Sequence, residues 1–130
     1  MNLNQSGIKK TDYVSEKQIL FCSEGYVGVG VVVAQSAGES VGGKTIVKAG
    51  TPLTGDLAAR QTAFTKASTS SESNVVGIAY RDIDVTDGEA NATLMIAGYV
   101  NLDMVDSTVE STMLTADVKK ALKGSITFLK

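Results

Sequence analysis

The sequence predicts a mainly β domain of the β-rich α+β class. Its expected form is a small antiparallel β-barrel or sandwich-like body with one short C-terminal helix and an extended N-terminal arm. Three observations carry this. Between Val75 and Leu102, two runs of alternating β-branched and aromatic residues flank a polar turn from Thr86 to Asn91. Tyr26 to Ala34 is a valine run interleaved with glycines. The one stretch with both helix start and stop signals lies near the end, between Thr115 and Gly124.

The chain starts with a polar arm, residues 1–17, without periodicity of either kind; its Asn, Gln, Ser and Lys content predicts mobility when unbound. Residues 18–130 read as one β-rich domain. Ile19 to Ser23 predicts a short strand. Tyr26 to Ala34 predicts a second, whose glycine face would let another backbone approach closely. Gln35 to Gly43 reads as a Ser/Gly-rich loop, and Lys44 to Lys48 as a strand. Ala49 to Asp56 holds the only proline, Pro52, between Gly50 and Gly55, and predicts a compact turn. Leu57 to Gln61 suits one helical turn, Ala63 to Ala67 a weak strand, and Ser68 to Asn74 a solvated loop.

Val76, Ile78 and Tyr80 alternate with Gly77, Ala79 and Arg81, and Leu94 to Leu102 alternates in the same way. This predicts a long antiparallel hairpin with Asp87-Gly88 in its loop. The apolar phase shifts between Tyr80 and Ile83, as a β-bulge near Arg81-Asp82 would make it do. Asp103 to Met113 reads as irregular. Thr115 is the expected N-cap of a helix over Ala116 to Lys123, with Val118, Ala121 and Leu122 on its buried face and Gly124 after its end. Ser125 to Leu129 predicts a closing strand.

Composition narrows function. A chain of 130 residues is one domain with one core. With 43% hydrophobic and 20% charged residues it reads as globular, and a net charge of −2 offers no basic field for a phosphate backbone, so no nucleic-acid partner is expected. There are no histidines, which removes the commonest general base and metal ligand and rules out a Ser-His-Asp triad. The single cysteine, Cys22, sits in the apolar run Ile19-Leu20-Phe21-Cys22 and reads as a buried small hydrophobe of a protein made in reducing cytoplasm. Met1 to Tyr13 lacks an apolar signal core, and Gly25 to Ala34 is far short of the roughly 20 residues of a spanning helix, so no membrane partner is expected.

Motifs for chemistry are weak. Asp82, Asp84, Asp87 and Glu89 cluster at the turn but break the register of a calcium loop; they read as a solvated acidic turn. Gly42-Gly43-Lys44-Thr45 ends like a phosphate loop, yet Ala37 stands where its first glycine belongs and a strand follows. The expectation is no catalytic set, no cofactor and no metal site.

One resemblance stands above composition. Lys-Ala-Gly-Thr-Pro-Leu-Thr-Gly-Asp (48–56), Val-Val-Gly-Ile-Ala-Tyr-Arg-Asp-Ile-Asp-Val-Thr-Asp-Gly (75–88), Ala-Thr-Leu-Met-Ile-Ala-Gly-Tyr-Val-Asn-Leu (92–102) and Gly-Ser-Ile-Thr-Phe-Leu (124–129) follow one another in an ordered series. That series resembles tailed-phage head decoration, or capsid cement, proteins, the group similar to the lambda decoration protein and head-fibre bases. It covers about residues 45–130. The resemblance implies a homotrimer on the outer surface of the phage head, with the major capsid protein as partner and a flexible arm that attaches by strand addition. The expected location is the virion exterior, after synthesis in host cytoplasm. Ile8, Tyr13, Val14, Ile19, Leu20 and Phe21 are the expected capsid-facing residues. Rival readings are another phage structural subunit, such as a tail-tube, baseplate or head-fibre-base protein, or a displayed ligand-binding β-domain; low aromatic content (5%, no Trp) counts against carbohydrate stacking.

Overall fold

A computed structural model describes residues 19–68 and 71–130, which form a mainly β, sandwich-like domain with two short α-helices. The strands are β1 (Leu20–Val33), β2 (Glu39–Val41), β3 (Lys44–Val47), β4 (Pro52–Thr54), β5 (Thr65–Lys66), β6 (Val75–Ala79), β7 (Ile83–Asp84), β8 (Ala90–Asn101) and β9 (Ile126–Leu129); the helices are α1 (Ser107–Thr112) and α2 (Ala116–Ala121). A six-stranded main sheet runs β1-β8-β6-β4-β5, with β9 also on β8, and a three-stranded sheet runs β2-β3-β7. The pairings are antiparallel except β8 with β9.

The central strands are buried on both faces, because paired residues share a face and neighbours along a strand alternate. Ile78 pairs with Met95, and both belong to a core with Val109 of α1 and Val118 of α2. The next pair, Ala79 and Leu94, belongs to a second core with Val47 of β3 and Val85, which follows β7. The main sheet therefore lies between a helical layer and the small sheet. β1 obeys the same rule, with Val31 and Val33 under the small sheet. Each fully buried side chain of this size contributes about 1.5–3 kcal/mol.

The long hairpin expected over 75–102 is not one hairpin. β6 and β8 share only the Ile78–Met95 and Ala79–Leu94 pairs, and β8 spends most of its length on β1. After Tyr80, whose N–H donates to the Thr93 carbonyl at 3.1 Å, the chain leaves the main sheet and β7 joins β3. The phase shift at Arg81-Asp82 is thus a change of sheet. It is held by the Asp82 carboxylate, which accepts from the Ala49 N–H at 2.7 Å, and by the Val85 N–H, which donates to the Thr45 carbonyl at 2.9 Å.

Other boundaries also differ. The two strands expected at Ile19–Ser23 and Tyr26–Ala34 are one element, irregular between Cys22 and Val27, where Gly25 takes a φ of 73°. Among the described residues, a Cβ on Gly28 of its glycine face would first meet the Tyr26 ring rather than another backbone. The expected loop at Gln35–Gly43 contains β2, joined to β3 by Gly42-Gly43 with φ of 56° and 85°, a two-residue turn that glycines favour. Pro52 opens a buried strand, and the turn before it is made by Gly50 at φ 94°. Leu57 to Gln61 forms successive turns, with the Ala59 N–H on the Asp56 carbonyl and the Thr62 N–H on the Ala59 carbonyl, and no helix. The stretch expected to be irregular contains α1, capped by the Asp106 carboxylate accepting from the Thr108 N–H. The C-terminal helix has the expected Thr115 cap and a Gly124 at φ 91°, but ends at Ala121, which is exposed while Val118 and Leu122 are buried.

Candidate interaction surface

The expected capsid-facing residues fall into three groups. Ile8, Tyr13 and Val14, with the rest of the 1–17 arm, lie outside the described residues. Ile19 is fully buried in the core beneath the helices, and its carbonyl accepts from the Asn101 N–H at 2.7 Å, so it has no surface to offer a partner. Leu20 pairs with Val100 and is half-buried against that core. Among the described members of the set, only Phe21 projects into solvent, at 56% exposure.

Phe21 belongs to a larger apolar edge. Cys22, expected to be buried, is exposed and lies opposite Tyr99, itself exposed. Val27 is exposed as well. None of these residues is in the core under the small sheet, and among the described residues none covers this face at this end of the main sheet. The register irregularity between Leu20 and Cys22 turns the thiol outward. β1 is the edge of the main sheet, and its far end is sealed: the Val32 N–H donates to the Arg60 carbonyl at 3.2 Å and the Phe64 N–H to the Val32 carbonyl at 2.7 Å.

A second feature could not be read from the sequence, because its parts are far apart in the chain. The rings of Tyr26 and Tyr80 lie 5.0 Å apart, and the Arg81 guanidinium sits 4.9 Å from the Tyr80 ring centre. Partial burial, followed by the neighbouring Tyr80, pushes the Tyr26 hydroxyl above its ordinary pKa, against the opposing pull of Arg81. Across the sheet, Arg60 donates from Nη1 to the Gly30 carbonyl at 2.8 Å.

The acidic turn is absorbed into structure. Asp82 anchors the Ala49 N–H; Asp84 accepts from the Thr86 N–H at 2.9 Å and lies 3.8 Å from Lys44 Nζ. Hydrogen bonds from Thr86, then the charge of Lys44, hold the Asp84 carboxyl below its ordinary value even though slight desolvation opposes them. Among the described residues no group of three His, Cys, Asp or Glu is placed to hold a metal ion, and no helix is long and apolar enough to cross a membrane. Gly42-Gly43-Lys44-Thr45, the fragment like a phosphate loop, is the β2–β3 turn.

No protein-family model matches the chain, and no curated protein matches it either.

Proposed function

We propose that this protein is a structural virion component, a capsid decoration protein that binds the outside of a phage head as a homotrimer and reinforces the shell. The observation that carries the reading is where the four segments of the resemblance lie. They contain β4, β6 with β7, β8 and β9, and in the main sheet β4 pairs with β6, β6 with β8, and β8 with β9. Pieces that are separate in sequence are thus neighbours in one sheet, as expected if the resemblance reflects a shared domain. The apolar edge of Phe21, Cys22, Val27 and Tyr99 suits a face that is covered on assembly. Residues 1–17 precede β1 in the chain, and strand addition by that arm needs only backbone donors and acceptors. Many copies on one shell would add avidity.

The test has two parts. Light scattering of the purified protein should give a trimer mass; a ring would favour a tail component instead. Mixing with expanded heads followed by sedimentation should deplete the full chain from the supernatant, and a chain lacking residues 1–17 should stay behind while keeping the full-length oligomeric state. Decoration by the shortened chain would refute the role of the arm.

A further inference from the structure

We infer that the end of the main sheet, along the rung Gly30–Thr93–Tyr80, docks an extended acidic segment of another protein, with Arg60 and Arg81 gripping its carboxylates. Arg60 and Arg81 are the only arginines in the chain. Contacts place them at the two ends of this rung. Arg60 holds the Gly30 carbonyl at the β1 edge; Gly30 pairs with Thr93 on β8; the Thr93 carbonyl accepts from the Tyr80 N–H; and Arg81 follows, stacked on the Tyr80 ring. Both guanidinium groups are oriented, one by a carbonyl and the other by an aromatic face. Yet among the described residues the ion pairs all use lysine: Lys44 with Asp84, Lys48 with Asp106, Lys66 with Glu39 and Lys130 with Glu110. A planar fork fixed in place without an internal carboxylate is suited to an external one.

Shape and nearby charge agree. Two shallow clefts, one lined by Arg60 and the other by Arg81, meet at Asn91 and Ala92. A Cβ built on Gly30 meets nothing within 4 Å, so a backbone can lie close to the floor. Asp82 and Asp84 line the second cleft, but their carboxylates are engaged with the Ala49 N–H and with Thr86 and Lys44. The rung crosses two inter-strand gaps of about 4.8 Å, and the arginine side chains extend it. Carboxylates four residues apart on one side of an extended segment, about 13 Å, match that span. Two arginines in a chain of net charge −2 favour a short acidic peptide over a nucleic acid, whose binding draws on many phosphate contacts.

The probe is a synthetic peptide, acetyl-Gly-Glu-Ala-Ala-Ala-Glu-Gly-amide, titrated into the full-length ¹⁵N-labelled protein while the arginine Nε–H signals are followed by NMR. Saturable shifts of both signals are expected. The affinity should fall at least fivefold when the peptide carries Gln for Glu, and again in Arg60→Gln or Arg81→Gln, whose dispersed spectra would report intact folding. Absent shifts, equal binding of the Gln peptide, or unchanged binding by the double variant would overturn the proposal. So would a thymidine oligonucleotide that binds more tightly than the Glu peptide. Head decoration, measured separately on the same variants, tells failure of this site from failure of the decoration reading.

Discussion

Replacing Gly77 by alanine is the sharpest test of how the main sheet is assembled. A Cβ there would lie 2.5 Å from the Met95 carbonyl oxygen and 2.9 Å from Leu94 Cγ, both closer than real Cβ contacts come. A side chain could swing away, but the Met95 carbonyl is backbone in a strand paired on both sides, to Gly28 of β1 and Ile78 of β6. Relief requires shifting one ladder or the other. Overpacking costs about 1–3 kcal/mol, and a backbone obstacle places Gly77→Ala toward the upper end. At roughly 4 °C per kcal/mol for a domain of this size, the midpoint should fall by about 8–12 °C. Gly30→Ala is the matched control: it sits in β1, has open space at Cβ and lacks a left-handed φ. Restricting the unfolded chain there should be neutral or stabilising by up to about 1 kcal/mol. Urea and thermal unfolding of both variants provide the comparison. A Gly77→Ala protein within about 0.5 kcal/mol of wild type, a difference typical of an inert surface change, would refute the packing of β6 on β8 described above.

Three further outcomes are expected. Asp84 and Asp106 both titrate below the ordinary value of 3.8 in the folded chain, Asp84 chiefly through Thr86 and Asp106 because bonds from Thr108 and Lys48 outweigh the burial that pushes it up. Their contribution to stability is therefore present above about pH 4 and lost as pH falls through the folded values. The urea midpoint followed from pH 7 to pH 2.5 should drop there, less steeply in Asp106→Asn, and an equal drop in that variant would contradict the assignment. Thr115→Ala removes the oxygen that accepts from the Val118 N–H and should cost about 0.5–2 kcal/mol in chemical denaturation. The Cys22 thiol should react with a thiol reagent in the native free protein at a rate near that of the unfolded chain, and more slowly on decorated heads; protection in the free protein would contradict its exposure.

What is legible in the sequence is local. Thr115 and Gly124 mark the C-terminal helix because a cap hydroxyl and a left-handed glycine act within a few residues, and the structure uses both. α1 carries a comparable signal, Asp106 ahead of Thr108 with Val105 and Val109 one turn apart and both buried, but its short polar sequence reads as a loop. Gly42-Gly43 is likewise a hairpin signal, hidden because β2 has only three residues. Of the expected interaction surface, Phe21 projects into solvent, although simple alternation would place it on the same face as the buried Ile19. Ile19 and Cys22 exchange the roles their positions suggest, because the irregular register of β1 decides which side chains turn inward, and register depends on the partner strand.

The stretch from Ala79 to Val85 shows the limit most clearly. Its break in alternation is visible in the residues, and a bulge within a hairpin and a departure to another sheet produce the same break. The difference lies in who receives the hydrogen bonds. Asp82 and Val85 bond to Ala49 and Thr45, from a strand and turn more than thirty residues earlier. That long-range closure lets β7 extend the small sheet while β6 stays in the main one, so the same residues tie the two sheets together. Asp82, which reads as part of a solvated acidic turn, is then an anchor between layers. Asp82→Ala would leave the Ala49 N–H without its side-chain acceptor, at a cost of about 1–3 kcal/mol. The loss should first appear as faster amide exchange at Ala49 and Val85, before global unfolding; unchanged exchange at both amides would mean that the carboxylate does not hold the junction.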